Sequence, residues 1–159
     1  MHIRRAVGGD VHEICDIWRL GVPNAFGIPA PANDVAVRFY RKRVKQQKDG
    51  FGVWVVEVNG VIAGWTSLQP CRANPISRMA EFSVYVSPEH RTNGLGQKLL
   101  IYVHAKAKLS RFSHLVAFLR TDNRAILELL TSLGWKRVGV IPAMKTDKSE
   151  LAYFAYCVR

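Results

Sequence analysis

Hydrophobic and polar positions along the chain follow two periods, and the change from one to the other predicts its elements. Apolar residues three or four apart, from Val11 to Val22, predict a helix that Asp10 opens, with Glu13 completing a capping box. The stretch 21–31 holds three prolines and two glycines, which should break a regular helix. We therefore expect an apolar loop at 21–31 that forms a lid or a pocket wall.

A second helical spacing and several alternating runs follow this stretch. Asn33 or Asp34 is expected to begin a helix that ends near Lys48. The dipeptide Asn59-Gly60 between two β-type runs predicts a tight hairpin. Gly134 is expected to end the last helix, because glycine favours that position. The further predicted strands are 3–7, 52–58, 61–68, 80–86, 114–119, 135–141 and 151–158, and the further helices are 95–109 and 123–133.

The order of these elements, β-α-α-β-β-β-α-β-α-β-β, predicts the fold class. Strand–helix–strand units in the second half imply parallel pairing, and the early hairpin implies antiparallel pairing. We expect an α/β (α+β) protein: one domain over residues 1–159, with a mixed sheet of about six to seven strands and about four helices on its two faces.

The net positive charge indicates an anionic partner but does not say which kind. Lys and Arg number 23 against 12 Asp and Glu, a formal net charge of +11. Such a field attracts nucleic acid, anionic membranes and phosphate-rich cofactors alike. The basic stripe of the second helix is typical of a solvated face. Because a nucleic-acid motif and interleaved aromatic residues are both missing, nucleic acid is not expected as the main partner.

Compartment and metal binding can be addressed from the cysteines, the histidines and the apolar runs. There is no apolar run long enough to cross a bilayer and no h-region of a signal peptide near Met1, so we expect a cytoplasmic protein with no membrane partner. Three separated cysteines and five scattered histidines give no ligand spacing. We therefore expect reduced thiols and no metal.

The most informative segment runs from Val86 to Gly96, where a predicted strand leads into a glycine-containing turn and then a helix. The start of a helix offers unpaired N–H groups and the positive end of a dipole, which together suit a phosphate. Gly94 and Gly96 allow the backbone to come close, and Arg91 adds a positive charge. The alternative is an ordinary strand-to-helix turn without a ligand.

The residues Arg91-Thr92-Asn93-Gly94-Leu95-Gly96 resemble the R/Q-x-x-G-x-G/A signature of the GNAT superfamily of N-acetyltransferases. Asp122-Asn123, followed by Leu133-Gly134-Trp135, is similar to the second cofactor motif of that family. Gly64-Trp65-Thr66-Ser67 and Glu81-Phe82-Ser83-Val84-Tyr85-Val86 are similar to its phosphinothricin-acetyltransferase-like branch. The resemblance covers essentially the whole chain and implies a GNAT fold with acetyl-CoA as co-substrate.

The resemblance also implies which positions hold the cofactor. The backbone of Val84 and Val86 would pair with the pantetheine arm, the amides of the following turn would hold the pyrophosphate, and Asn123 would reach the pantetheine. A free N–H at Val84 would stabilise the oxyanion of the reaction. The cofactor positions are Val84, Tyr85, Val86, Arg91, Thr92, Asn93, Gly94, Leu95, Gly96, Gln97 and Asn123.

A base is needed because the acceptor's ammonium, with a pKa of about 10, must lose a proton before its nitrogen can attack. Glu81 lies at the position where the branch has its candidate base. The alternative is that Glu81 only pairs with a nearby arginine.

Two positions depart from the branch. Phe82 replaces the usual His, and Leu130 stands where many members have a Tyr or His that protonates the leaving thiolate. Either the thiolate leaves unassisted, or a water or Tyr85 supplies the proton, or activity is weak or lost.

The acceptor site is the least readable part of the sequence. Arg72 and Arg78 flank the loop before Glu81 and could bind the carboxylate of an amino acid, and Phe26 could wall the pocket. Solvated arginines and an ordinary core aromatic are the alternatives.

The sequence thus predicts an N-acetyltransferase that transfers the acetyl group of acetyl-CoA to a primary amine of a small molecule or amino acid in a ternary complex. The alternatives are a non-catalytic CoA-binding module of the same fold and an acetyltransferase for a protein associated with nucleic acid. Because branch members often pair, a homodimer is also an expectation.

Overall fold

A computed structural model describes residues 1–71, 78–142 and 149–159. In these ranges the chain forms seven strands and four α-helices in the predicted order. The strands are β1 His2–Arg5, β2 Gly52–Val58, β3 Val61–Pro70, β4 Met79–Val86, β5 His114–Arg120, β6 Lys136–Ile141 and β7 Leu151–Cys157. The helices are α1 Val11–Phe26, α2 Asn33–Lys45, α3 Leu95–Leu109 and α4 Arg124–Ser132.

All seven strands form one mixed sheet in the order β1-β2-β3-β4-β5-β7-β6. Neighbouring strands pair antiparallel, except for β4 and β5, which are parallel. The pair lies at the centre of the sheet, and its strands are parallel because α3 connects β4 to β5 over one face. The predicted mixed sheet is confirmed.

Alternation along the central strands creates two cores, one on each face of the sheet. Val53 and Val55 of β2 pack with α1 and α2, whereas Trp54 packs with α3 and α4. Phe82 of β4 lies in the α3 and α4 core, whereas Tyr85 of the same strand packs against the α1 and α2 core. The two faces of β4 therefore look onto different surroundings.

The predicted hairpin turn is confirmed by its backbone angles. Asn59 has φ +52° and Gly60 has φ +80°, the left-handed pair that a two-residue hairpin requires. Register then runs regularly from β3 into β4, with Gly64 opposite Val86 and Pro70 opposite Ala80.

The prediction of a loop at 21–31 is wrong for its first six residues. Helix α1 continues through Pro23 to Phe26 and ends where Gly27 adopts φ +69°. Pro23 removes only one backbone hydrogen bond, in the last turn of the helix. Val22, only 1% exposed, stays packed in the core, and its burial outweighs the missing bond.

The capping box predicted for Asp10 and Glu13 is also wrong. A 3₁₀ turn over Gly8–Asp10 precedes α1, and Asp10 makes no side-chain cap hydrogen bond with that helix. Its carboxylate turns back and accepts the Val7 N–H at 2.7 Å and two guanidinium N–H groups of Arg4 at 2.7 and 2.9 Å. A charged bidentate partner provides stronger hydrogen bonds than a backbone amide alone.

Smaller differences concern element ends. Helix α2 begins after Ala32, which is its N-cap, and stops at Lys45, three residues before the predicted end at Lys48. Strands β3 and β5 extend beyond their predicted ends to Pro70 and Arg120.

The Arg4–Asp10 pair should make stability depend on pH. Arg4 holds the pKa of Asp10 below its usual range, so the stabilisation is present above a pH of about 4 and is lost as pH falls through the folded-state pKa. Asp10→Asn should lower the unfolding free energy at pH 7 by about 1–3 kcal/mol. Urea unfolding between pH 7 and pH 2 measures this change.

Asp34→Asn is the control, because Asp34 pairs with Arg38 on an exposed helix surface. It should cost at most about 0.5 kcal/mol. An Asp10→Asn penalty that stayed constant down to pH 2 would contradict the role assigned to the carboxylate.

Candidate active site

Strands β4 and β5 separate halfway along their length. They pair only from Met79–His114 to Glu81–Val116, although β4 continues to Val86 and β5 to Arg120. A cleft of about 1000 Å³ lies between the separated halves. The last residues of α1, the turn before α3 and the start of α4 complete its walls.

The register shows which backbone groups face this cleft. The Ser87 N–H donates to Ala63 of β3 at 2.9 Å, so odd-numbered β4 residues point their N–H and C=O groups toward β3. Even-numbered residues point toward β5, as the 2.7 Å bond from the Ser113 N–H to the Arg78 carbonyl confirms. Val84 and Val86 therefore present backbone hydrogen-bonding groups to the cleft.

The turn before α3 exposes further N–H donors. Thr92 and Gly94 both have φ +70°, and Gly94 is the N-cap of α3. The first intrahelical bond in α3 runs from Lys98 N–H to the Gly94 carbonyl, so the amides of residues 95–97 lack acceptors within the helix. These donors and the helix dipole form an anion site.

The glycines of this turn have different roles. A Cβ at Gly94 would meet nothing within 4 Å, so this position needs glycine for its positive φ. A Cβ at Gly96 would lie 3.5 Å from Leu129, in ordinary contact with α4. Gly96 therefore lies where the first turn of α3 comes close to the Leu129 side chain of α4.

Most predicted cofactor positions line the cleft. They are Val84, Tyr85, Val86, Arg91, Thr92, Gly94, Leu95, Gly96, Gln97 and Asn123. The Leu95 side chain is 5% exposed and packs in the core, so only its backbone can contact a ligand. Asn93 is exposed and lies outside the wall.

The opposite wall carries a fixed charge pair. The Arg120 guanidinium donates to both carboxylate oxygens of Asp122, at 3.0 and 2.7 Å, and the Ser149 hydroxyl also donates to Asp122. These bonds hold the pKa of Asp122 far below its usual range. Asn123 follows as the N-cap of α4, and the exposed Arg124 adds a positive charge at the cleft.

Leu130 lies away from this wall. It is fully buried in the core between α3, α4 and the sheet, and its hydrocarbon side chain has no proton to donate.

The face of β4 that carries Glu81, Ser83 and Tyr85 looks toward α1 and α2. Ser83 and Tyr85 line the cleft, and Glu81 lies one side-chain repeat below them. Gln69 of β3 is directly opposite, and its Nε2 donates to Glu81 Oε1 at 2.8 Å. Glu81 therefore adjoins the cleft on the side away from the α3 core.

The hydroxyl of Tyr153 lies close enough to Glu81 to feel its charge. Burial raises the pKa of Tyr153, and Cys71 and Glu81 nearby raise it further. The Tyr153 ring stacks on Phe118, a cleft residue, with centroids 4.5 Å apart.

Tyr85 is held on three sides. Its ring stacks on Trp65 with a centroid separation of 4.8 Å, and the Trp18 side chain lies beside its hydroxyl. Burial raises the pKa of Tyr85, so its O–H stays protonated at neutral pH. On its third side, Gly21 of α1 leaves room for the ring, since a Cβ there would lie 2.5 Å from Tyr85 Cδ1.

Of the three residues predicted to bind the acceptor, only Phe26 is found in the wall of the cleft among the described residues. Phe26 lines the cleft from the last turn of α1. Arg78 is exposed, and its guanidinium donates to the carbonyls of Ser110 and Arg111 at 2.8 and 2.5 Å. Arg72 lies outside the described residues.

Sequence reasoning missed several neighbours of the cleft. Gly21 was assigned to a loop, although its lack of a side chain seats Tyr85. Phe118 of β5 carried no motif, but alternation along β5 beside β4 could have placed it on the Glu81 face. Gln69 gave no local signal, because only the sheet order brings it to Glu81.

The class of protein follows from a parallel pair of strands that splay around an anion-binding helix start. Residues 29–135 match the family model described as "Acetyltransferase (GNAT) family". The chain therefore belongs to the GNAT family of acetyltransferases. The family prediction and the acyltransferase class are confirmed.

Two curated relatives and one solved structure are similar to the chain. It is 36% identical over 98 residues to the L-amino acid N-acyltransferase MnaT of Escherichia coli K12, covering 61% of this chain and 57% of that protein. It is 32% identical over 146 residues to the L-methionine sulfoximine/L-methionine sulfone acetyltransferase of Salmonella typhimurium LT2, covering 89% and 84%. These names support the predicted branch.

The solved structure is yncA from Salmonella typhimurium with its cofactor acetyl-CoA. It superposes with a TM-score of 0.85 at 28% identity, covering 100% of this chain and 94% of that one. The predicted fold is confirmed.

No helix within 1–71, 78–142 or 149–159 is long and apolar enough to span a membrane. Within the same ranges, no three His, Cys, Asp or Glu residues come together as metal ligands do.

The Gly21–Tyr85 contact predicts an unusual response to a helix substitution. In most helix interiors, Gly→Ala stabilises by about 1 kcal/mol. Here Gly21→Ala should destabilise by about 1–3 kcal/mol, because the new Cβ overlaps the Tyr85 ring. Chemical denaturation measures the change.

Gly9→Ala is the matched control, since a Cβ at Gly9 meets nothing within 4 Å. Its effect should stay within about 0.5 kcal/mol. A gain in stability for Gly21→Ala would show that Tyr85 does not pack as described.

Proposed function

We propose that this protein is an N-acetyltransferase that transfers the acetyl group of acetyl-CoA to the primary amine of an amino acid or an amino-acid analogue. The observation that carries the proposal is the separated edge of β4, where Val84 and Val86 present backbone groups to a cleft that leads to the amides at the start of α3. An extended arm ending in a pyrophosphate fits this arrangement of donors.

Different residues of this chain would bind different parts of the cofactor. Val84 and Val86 would bond the pantetheine as an added strand bonds a sheet edge. The amides of Thr92 to Gln97 would hold the pyrophosphate, with Arg91 beside them and Asn123 across the cleft. The solved relative bound to acetyl-CoA supports this assignment.

The proposed chemistry uses both faces of β4. Acetyl-CoA supplies an activated thioester, and the Val84 N–H would donate to its carbonyl oxygen. Glu81 would accept a proton from the acceptor's ammonium, so that the neutral nitrogen can form the amide bond as the carbon–sulfur bond breaks. A thiol pKa of about 8.5 allows the sulfur to leave as thiolate, which takes up, through solvent, the second proton that the nitrogen loses as the amide forms.

Gly94→Val should weaken acetyl-CoA binding by about tenfold or more while leaving the sheet intact. A β-branched residue strains the φ +70° backbone that aims the α3 amides at the pyrophosphate. Calorimetric titration with acetyl-CoA measures the loss.

Gly60→Val is the control, because Gly60 also has a positive φ, but lies in the β2–β3 turn. It should reduce stability and leave acetyl-CoA affinity unchanged. Wild-type protein that bound acetyl-CoA no better than ATP would overturn the cofactor assignment.

Glu81→Gln should keep acetyl-CoA affinity and reduce kcat by about 10²–10⁴-fold, the range expected for losing a general base. Released thiol is measured with a panel of L-amino acids and with L-methionine sulfone, because both curated relatives are named for such acceptors.

Unchanged turnover in Glu81→Gln would remove Glu81 from the base role. If no amine in the panel released thiol above background despite acetyl-CoA binding, the non-catalytic CoA-binding alternative would replace the enzyme.

We also propose a cytoplasmic location, a single domain over residues 1–159 and a homodimer. The buried free thiols of Cys15 and Cys71 support a reducing compartment. Light scattering tests the dimer, and limited proteolysis tests the single domain.

A further inference from the structure

Among the described residues, Gln69 alone has a buried side-chain polar atom without a hydrogen-bond partner. The residue is 8% exposed, and its Oε1 is the unpartnered atom. Its Nε2 already donates to Glu81 at 2.8 Å. Buried acceptors almost always have a partner, so this oxygen needs an explanation.

Chemistry fixes the orientation of this amide. An ionised carboxylate can only accept hydrogen bonds, so the amide nitrogen of Gln69 must face Glu81. The amide oxygen, on the same carbon, is then turned away from Glu81 but stays close to it. Reversing the amide would place two acceptors against each other.

Gln69 lines a second cavity, one side-chain repeat along β3 from a residue pair that reaches the cleft. Ser67 and Gln69 of β3 pair with Ser83 and Glu81 of β4, and Ser83 lines the cleft. On the other side, Ser67 and Gln69 line a groove of about 710 Å³ beneath the end of α2. The groove also contains Lys42 and Phe39, so both charged and apolar groups border it.

We propose that Gln69 positions the acceptor: its Nε2 orients Glu81, and its Oε1 accepts a hydrogen bond from the same ammonium that Glu81 deprotonates. The inference rests on the proposed function, because it requires Glu81 to act as base. A primary ammonium has three N–H groups, enough to contact Glu81 and Gln69 together.

This arrangement would make Gln69 a determinant of acceptor affinity rather than of cofactor affinity. Its amide lies on the α1 and α2 face of the sheet, whereas the edge groups of Val84 and Val86 lie in the plane of the sheet. Removing the amide should therefore leave acetyl-CoA binding intact.

The first test compares Gln69→Leu with wild type, using acetyl-CoA and L-methionine sulfone. Leucine keeps the size of the side chain and removes both amide groups. The acceptor KM should rise by about tenfold or more, the value of one hydrogen bond to a charged group. The dissociation constant for acetyl-CoA should be unchanged.

The second test uses Gln69→Glu. If Gln69 had only a structural role, this variant and Gln69→Leu would have the same pH profile. Two facing carboxylates disfavour ionisation of one another, so the acidic limb of the kcat/KM profile should move to higher pH by about one unit or more. Tyr153 of β7 and Cys71 are the other titratable groups described beside Glu81, and both remain in the variant.

Gln46→Leu is the matched control, because it makes the same change at the exposed C-cap of α2. Its kinetic constants and pH profile should equal those of wild type. Thermal unfolding of all variants confirms that each is folded, and Gln69→Asn serves as a second variant if Gln69→Leu does not fold.

The outcomes separate the two proposals. If Glu81→Gln abolishes turnover while Gln69→Leu keeps the wild-type acceptor KM, the role of Gln69 is overturned and the proposed function stands. If wild type transfers no acetyl group to any amine, the proposed function fails, and the role of Gln69 fails with it.

Discussion

The separation of β4 from β5 is the constraint on which the rest of the structure depends. After Glu81 and Val116 the two strands no longer pair, so the backbone groups of Val84 and Val86 face a cleft. Unpaired backbone groups away from water cost free energy, and a ligand with alternating donors and acceptors removes that cost. The start of α3 at Gly94 lies on the same cleft. The backbone groups of β4 and the free amides of α3 therefore face one continuous space.

The period-two geometry of β4 gives one strand two usable surfaces. Its in-plane edge faces the cleft and its α1 and α2 face carries Glu81 and Ser83, so under the proposed function one strand would serve both the cofactor and the acceptor. Tyr85 ties this face to α1, because its ring fits only where Gly21 has no side chain. The position of α1, and hence of Phe26, therefore depends on packing at the cleft itself.

Much of this could be predicted from the sequence, because the signals were local. The strand–turn–helix at Val86–Gly96 and the turn at Asn59-Gly60 depend on residues that are adjacent in the chain. What could not be predicted depends on tertiary contacts. Burial of Val22 carries α1 through Pro23, and Arg4 turns Asp10 away from its helix. Gln69 reaches Glu81 only through strand pairing, and spacing within the chain carries no trace of that contact.

Residue-resolved amide hydrogen exchange, with and without acetyl-CoA, tests the central claim most directly. The account predicts strong slowing at Val84 and Val86, whose N–H groups face the cleft. Little change is predicted at Ser83 and Tyr85, whose N–H groups already point to β3. Equal slowing at all four positions, or none at Val84 and Val86, would contradict the claim that the free edge of β4 holds the cofactor.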